Sequence, residues 1–285
     1  TCIAGAHLEG LGSLEGVANE KADIFAGMEA GGTFILPADD AFLDHLSARA
    51  RELCPTGNRE TFGFAEDATA RVTGYESNGV TSRITVEVIG QSVSVEIEAV
   101  GKHWALNVAA ALLAASQTGR SLADCAEALS GYSPPPGRGT AERLPLPQGG
   151  HFTLVDDAYN ANPASMRAAL SALAALAQRP GGRRLVALGE MLEIGAESNS
   201  EHAGLAADVV ASGAEGVFLA GDKMTHLAEA LPPGLQQAWA PKADELWNAL
   251  LNAVRDGDVL LIKGSNASGM GRIADRLRQR SAAAG

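Results

Sequence analysis

Hydrophobic positions change rhythm twice along this chain. After Leu14, the residues Val17, Ile24, Phe25 and Met28 recur near helical spacing. Residues 33–36 then read as a strand, and the Pro37-Ala38-Asp39-Asp40 turn can cap a helix from Ala41. Between Ala68 and Val100 the rhythm shortens to two. Val72, Thr73 and Tyr75 precede Ser77-Asn78-Gly79; Ile84, Val86 and Val88 follow it, each set alternating with polar residues. Val93, Val95 and Ile97 continue the alternation beyond Gly90-Gln91. The Asn-Gly and Gly-Gln turns make this stretch a β-meander. Helical spacing returns over residues 105–117 and 122–129.

The sharpest break in composition is Ser133-Pro134-Pro135-Pro136-Gly137-Arg138-Gly139. It places a domain boundary between residues 139 and 140, giving domains 1–139 and 140–285. Beyond it, strands are expected near Phe152–Val155, Arg184–Leu188, Gly216–Ala220, Gln236–Trp239 and Val259–Ile262, alternating with helical segments. Continuous apolar strands alternating with helices imply an α/β fold with a mainly parallel, Rossmann-like sheet. Sheets of that kind bind ligands at the carboxyl ends of their strands.

Composition narrows the partners. A chain of 285 residues suggests about two domains. The formal charge of -12 argues against binding nucleic acid or an anionic membrane, which needs a basic face. It leaves a nucleotide open, because a few amides, one or two cations and a metal suffice. Cys2, Cys54 and Cys125 are scattered, form no zinc pattern and fit reduced thiols in a cytoplasm. No apolar run is long enough to insert in a membrane and no signal peptide opens the chain. It begins with Thr1 inside a short apolar stretch, which reads as a fragment.

Several polar runs carry the chemistry. They are Ala6-His7-Leu8-Glu9-Gly10-Leu11-Gly12-Ser13 with Lys21 beyond it, Gly101-Lys102-His103-Trp104-Ala105-Leu106-Asn107, and Pro136-Gly137-Arg138. Three more follow predicted strands: Asp156-Asp157-Ala158-Tyr159-Asn160-Ala161-Asn162, Gly189-Glu190-Met191-Leu192-Glu193-Ile194-Gly195 with His202 opening a helix, and Lys263-Gly264-Ser265. Taken singly, each has an ordinary reading. Lys21 would be a solvated helix lysine, His7 a satisfied loop histidine, Arg138 a linker arginine, Asn162 a helix cap and Lys263 a strand-end lysine. Two Asp, one Tyr and two Asn in seven residues exceed what capping needs.

Together these runs resemble the Mur ligase family over essentially the whole chain: part of the central ATPase domain with its β-meander, then the C-terminal domain. The resemblance implies that His7 and Lys21, the latter as a carbamate, serve magnesium and catalysis. A carbamate suits that ion because it turns a cation into an oxygen anion. It implies that Asn107 reads the adenine of ATP, that Arg138 reaches the phosphates, that Asp157 reaches the ribose and that Tyr159 faces the nucleotide. The family's first asparagine is replaced by Trp104, which either stacks on the base or fills core, the second being preferred. Asn160, Asn162, Glu190, Glu193 and His202 are expected at the substrates. Lys263 and Ser265, beside a helix N-terminus, are expected to take a peptide carboxylate.

The implied activity is ATP-dependent amide formation between UDP-N-acetylmuramoyl-tripeptide and D-alanyl-D-alanine through an acyl phosphate, by a cytoplasmic monomer. A sibling ligase using another amino acid, or a non-catalytic nucleotide- or peptide-binding remnant, are the alternatives. No G-x-x-x-x-G-K-[ST] loop occurs in the 285 residues; the family carries a related loop upstream, so the chain alone is expected to be inactive. Asp157→Ala is expected to weaken nucleotide use without unfolding the second domain.

Overall fold

A computed structural model describes residues 2–5, 8–176 and 181–282. They form two compact units, one of Thr1–Ser77, Thr81–Ile97 and Lys102–Tyr132, the other of Asn78–Val80, Glu98–Gly101 and Ser133–Gly285.

The first unit opens with helices α1 (Leu8–Leu11) and α2 (Leu14–Ala22), the latter capped by the Ser13 side chain. The helical spacing after Leu14 does not run on to Met28. From Asp23 to Gly27 the chain tightens into a 3-10 turn. Three residues per turn instead of 3.6 rotates the following positions, so Phe25 is buried while Ile24 is 74% exposed. Strand β1 (Thr33–Pro37) and helix α3 (Leu43–Leu53) follow. Phe25, Phe34, Leu36, Leu46 and Ala50 close a small core with Ala18 and Ala22.

Strands β2 (Asn58–Gly63), β3 (Ala70–Ser77), β4 (Ser82–Val88) and β5 (Gln91–Ile97) complete a sheet of order β1-β2-β3-β4-β5. The meander is present: β3 to β5 pair antiparallel, with Val88 opposite both Ala70 and Gln91. β1, β2 and β3 pair in parallel. β2 escapes the sequence pattern because Asn-Arg-Glu-Thr offers no apolar alternation, and only Thr61 to Gly63 are buried. Helices α4 (Lys102–Ser116) and α5 (Leu122–Leu129) lie against the sheet. Val86, Ile84, Val95, Val108, Leu112 and Leu113 are all buried.

The second unit is a six-stranded sheet of order β10-β9-β8-β11-β7-β6. Its elements are β6 (Thr140–Pro145), β7 (His151–Asp157), α6 (Pro163–Ala175), β8 (Arg184–Gly189), α7 (Ser198–Ala211), β9 (Ala214–Ala220), α8 (Met224–Ala230), β10 (Gln236–Ala240), α9 (Trp247–Ala253), β11 (Val259–Lys263) and α10 (Met270–Ala282). All neighbours pair in parallel except β6, which runs antiparallel to β7 at the edge. β6 is the second strand the pattern does not predict. It is largely polar and ends in Pro145, which an edge strand tolerates.

Alternate residues of each central strand feed two cores. On one face Val186, Leu188, Val217, Leu219, Val259 and Leu261 meet Leu170 of α6, Leu205 of α7 and Leu227 of α8. On the other, Leu185, Ala187, Phe218, Leu260 and Ile262 meet Leu250 of α9 and Ile273 and Leu277 of α10. The helix after β11 therefore lies on one face, and those after its neighbours β7 and β8 lie on the other. In doubly wound sheets, loops leaving in opposite directions place the ligand crevice at such strand ends. Among the described residues, no helix is long and apolar enough to cross a membrane.

Candidate functional site

Three loops meet beyond β7, β8 and β11. The strand pairing puts Lys263 level with Asp157 on one side and with Leu188 on the other, so the residues just past each end are neighbours. Close approach is enforced at Gly264. A Cβ there would sit 2.5 Å from Ser268 Oγ and 3.0 Å from the Gly189 Cα.

The two aspartates ending β7 point to opposite faces, as strand geometry requires. Asp156 is 2% exposed; its Oδ1 accepts from the Ala158 N–H and its Oδ2 from Arg278 Nη2 at 2.7 Å. Arg278 also donates to Glu142, from Nε at 3.0 Å and from Nη2 at 2.6 Å. Glu142, then Asp156, hold its guanidinium pKa above the ordinary arginine value. Asp157 faces the other way and receives Lys263 Nζ on Oδ2 at 2.7 Å. Lys263 is 2% exposed. Its ammonium also donates to the carbonyls of Asp157 (3.3 Å) and Asn160 (3.0 Å).

That geometry bears on two expectations. An ammonium has three donors, and here all three are turned inward on the loop after β7. Lys263 braces Asp157 and Asn160; it is not extended to a free carboxylate. Asp157→Ala is consequently not a silent change to the fold, because it would leave a buried ammonium without its counter-charge.

The rest of this loop is equally determined. Asn162 and Ser165 form a reciprocal capping box on α6, with Pro163 as its first residue. Asn160 Oδ1 accepts from the Ala161 N–H at 2.8 Å. Tyr159 is exposed, and the Arg138 guanidinium carbon lies 3.9 Å from its ring centroid, a cation–π stack. The Pro136-Gly137-Arg138 segment is held there by Tyr159 N–H to Gly137 O (2.9 Å) and Gly139 N–H to Asp156 O (2.8 Å). Gly137 has φ +83°, and a Cβ would meet the Tyr159 backbone nitrogen at 3.1 Å. Arg138, on the segment before β6, is thus stacked on Tyr159 in the loop just past Asp157 at the end of β7.

The loop after β8 is stitched to its neighbours. Glu190 Oε1 accepts from the Lys223 N–H at 2.7 Å, and its carbonyl accepts from the Ser265 N–H at 3.0 Å. Ser265 Oγ accepts from the Leu192 N–H at 2.9 Å and donates to Ala161 O at 3.4 Å. One serine therefore joins all three loops. Glu193 is exposed and carries φ +60°, a left-handed conformation uncommon outside glycine and often found at functional sites.

His202 departs from the expected position. It sits one turn inside α7, is fully buried, and has both ring nitrogens engaged: Nε2 with the Met191 N–H at 3.0 Å and Nδ1 with Ser198 O at 2.6 Å. It touches the loop, not the crevice.

The residues expected in the first unit are placed separately. Lys21 is exposed on the last turn of α2; only as a carbamate would it offer magnesium an oxygen anion. His7 lies outside the described residues. Among the described residues no group of three or more His, Cys, Asp or Glu is arranged to hold a metal. Asn107 is half-buried on α4. Trp104, one turn earlier, is 9% exposed between the rings of His103 and Tyr132, as a core residue would be. Its Nε1 finds no partner among the described residues.

Sequence reasoning missed Arg278 and the structural use of Asp156. Arg278 lies in an arginine-rich terminal helix, and no local pattern ties it to an aspartate 122 positions earlier.

Comparison with known proteins fits this architecture. The Mur ligase middle domain matches residues 1–115, and the Mur ligase glutamate ligase domain matches residues 142–266. The chain belongs to the Mur ligase family. Within it, the chain is 32% identical over 283 residues to the UDP-N-acetylmuramoyl-tripeptide–D-alanyl-D-alanine ligase of Escherichia coli, covering 97% of this chain and 59% of the relative. The Mycobacterium tuberculosis (strain H37Rv) ligase of the same name is 30% identical, with 96% and 56% covered. The chain thus spans less than two thirds of these relatives. Among solved structures, MurF from Acinetobacter baumannii superposes with a TM-score of 0.83 at 24% identity, covering 98% of this chain and 58% of that one. MurF from Thermotoga maritima, solved with ADP, gives 0.79 at 20%, covering 99% and 61%. These two show a shared fold.

Proposed function

We propose that this chain forms part of an ATP-dependent ligase that joins D-alanyl-D-alanine to UDP-N-acetylmuramoyl-tripeptide in the bacterial cytoplasm. The observation that carries the reading is the three-loop edge of the second unit. There Asp157, Tyr159, Glu190 and Glu193 are set on backbone braced by Lys263 and Ser265. The relatives of that name add support, as does the ADP held by the Thermotoga maritima structure.

On this reading the tripeptide carboxylate takes the γ-phosphoryl group of ATP, giving an acyl phosphate and ADP. The amine of the dipeptide attacks the acyl carbon and gives up a proton. The tetrahedral intermediate then expels phosphate and leaves an amide. Such chemistry needs positioning and charge stabilisation more than a protein nucleophile. Asp157 and Tyr159 would orient the nucleotide, with the Arg138 guanidinium beside its phosphates, and Asn107 would read the adenine. Glu190, Glu193, Asn160 and Asn162 would line the amine substrate's place. Magnesium, when bound, would neutralise phosphate charge, and Lys21 as a carbamate together with His7 would hold it.

The test is a ligation assay on the protein encoded by the whole reading frame, with ATP, magnesium, the UDP-linked tripeptide and a panel of amine acceptors. Turnover with D-alanyl-D-alanine is the expected result. Turnover with meso-diaminopimelate or glutamate and none with the dipeptide would assign the chain to a sibling activity. No ADP release with any acceptor would leave a binding role.

A further inference from the structure

We infer that His202 is a positioning residue: as a neutral imidazole protonated on Nδ1, it clamps the loop after β8 and sets how Leu192 and Glu193 are displayed at the sheet edge. The inference rests on the reading that this edge receives the amine substrate.

The geometry allows one protonation state. The Met191 N–H is a donor, so Nε2 facing it at 3.0 Å must be an unprotonated acceptor. The proton then resides on Nδ1, which donates to Ser198 O at 2.6 Å. Met191 and Ile194 are buried in the α6–α8 core, while Leu192 and Glu193 between them are exposed. Two core anchors thus flank two displayed residues. The clamp on Met191 and the Ser265 Oγ bond to the Leu192 N–H determine their direction. The left-handed backbone at Glu193 persists because its surroundings over-determine it.

An imidazolium would turn Nε2 into a donor aimed at another donor and break the clamp. The surroundings resist this. Burial lowers the His202 pKa, and His226 and Lys223 near α8 lower it further; Ser198 O and Glu190 act in the opposite sense. On α6, Arg167 is occupied with Glu201 and Asp208 of α7.

Two substitutions separate the clamp from simple volume. The amide of His202→Gln can both accept from Met191 and donate to Ser198 O; His202→Phe fills space and does neither. In the 285-residue chain, the Met191 amide is expected to exchange with solvent about tenfold faster in the Phe variant and at near the wild-type rate in the Gln variant. In the whole-reading-frame enzyme, the Phe variant is expected to raise KM for the amine acceptor about tenfold with kcat little changed, the Gln variant restoring it. Equal losses in both variants, or an unchanged Met191 amide in the Phe variant, would overturn the proposal. Should the Phe variant not fold, imidazole nitrogen NMR of the wild type decides. A neutral, Nδ1-protonated ring at pH 7 supports the clamp, and an Nε2-protonated ring or an imidazolium refutes it. The exchange and NMR measurements need no substrate. If they come out as expected while the dipeptide is not used, the clamp stands and the substrate assignment fails.

Discussion

Asp156 and Asp157 are adjacent in sequence, end the same strand and are each bound to a cation, yet the two faces of the sheet treat them differently. On the α10 face, Asp156 is the buried partner and Arg278, 22% exposed, is shared with Glu142 and Asp275. On the α6 face the burial is reversed: Lys263 is 2% exposed and Asp157 24%. Arg278 has a planar fork, several acceptors and access to water, so losing one partner leaves it compensated. Lys263 has a single carboxylate and two carbonyls. The first arrangement is a strut. The second holds a carboxylate in place at the rim while keeping its cation away from solvent.

The largest expected effect comes from breaking the second pair. Asp157→Ala should lower stability by about 3–5 kcal/mol, because a buried ammonium is left uncompensated. Urea unfolding of the 285-residue chain measures it. Replacing both members, Lys263→Met with Asp157→Leu, should recover most of that loss; a double variant as unstable as the single one would refute the pairing. Asp156→Ala should cost less, about 1–3 kcal/mol, as Arg278 keeps Glu142 and the Ala158 N–H loses its acceptor. An Asp156 loss exceeding the Asp157 loss would invert the comparison.

Acid should act through the buried histidine. The folded His202 pKa lies below the ordinary value. As pH falls below about 6.5 the unfolded imidazole takes up a proton that the folded one resists. The unfolded state then binds more protons, so stability drops with falling pH, at no more than about 1.4 kcal/mol per unit. Above that range the group contributes no slope. Urea midpoints from pH 7.5 to 5.5 should fall more steeply for the wild type than for His202→Gln. The smallest effect is expected at the exposed Arg167–Glu201 pair: Arg167→Ala should change stability by about 0.5 kcal/mol or less and leave the crevice loops unchanged in the same urea series.

Much of the fold was legible. Period-two alternation marked β3 to β5, and apolar runs marked the central strands β8, β9 and β11, since both patterns reflect which faces are covered. β2 and β6 were not legible. Polar sequences such as Asn-Arg-Glu-Thr and Thr-Ala-Glu-Arg carry no burial signal, and their pairing is decided by what lies beside them. The motif loops stood out through clustered Asp, Asn, Gly and Tyr at strand ends, but not the wiring within them.

By itself, then, the sequence determined the order of most strands and helices and which short stretches carry polar chemistry. Each of these is written in neighbouring residues. Only the tertiary structure decided that Lys263 turns inward to Asp157, that His202 serves Met191 and that Asp156 belongs to Arg278. Lys263–Asp157 and Asp156–Arg278 are more than a hundred residues apart. Met191 and His202 are only 11 apart, but their pairing depends on how α7 packs beside β8. A charged or titratable side chain takes its role from the dielectric and the partners that folding brings to it, which no local pattern encodes.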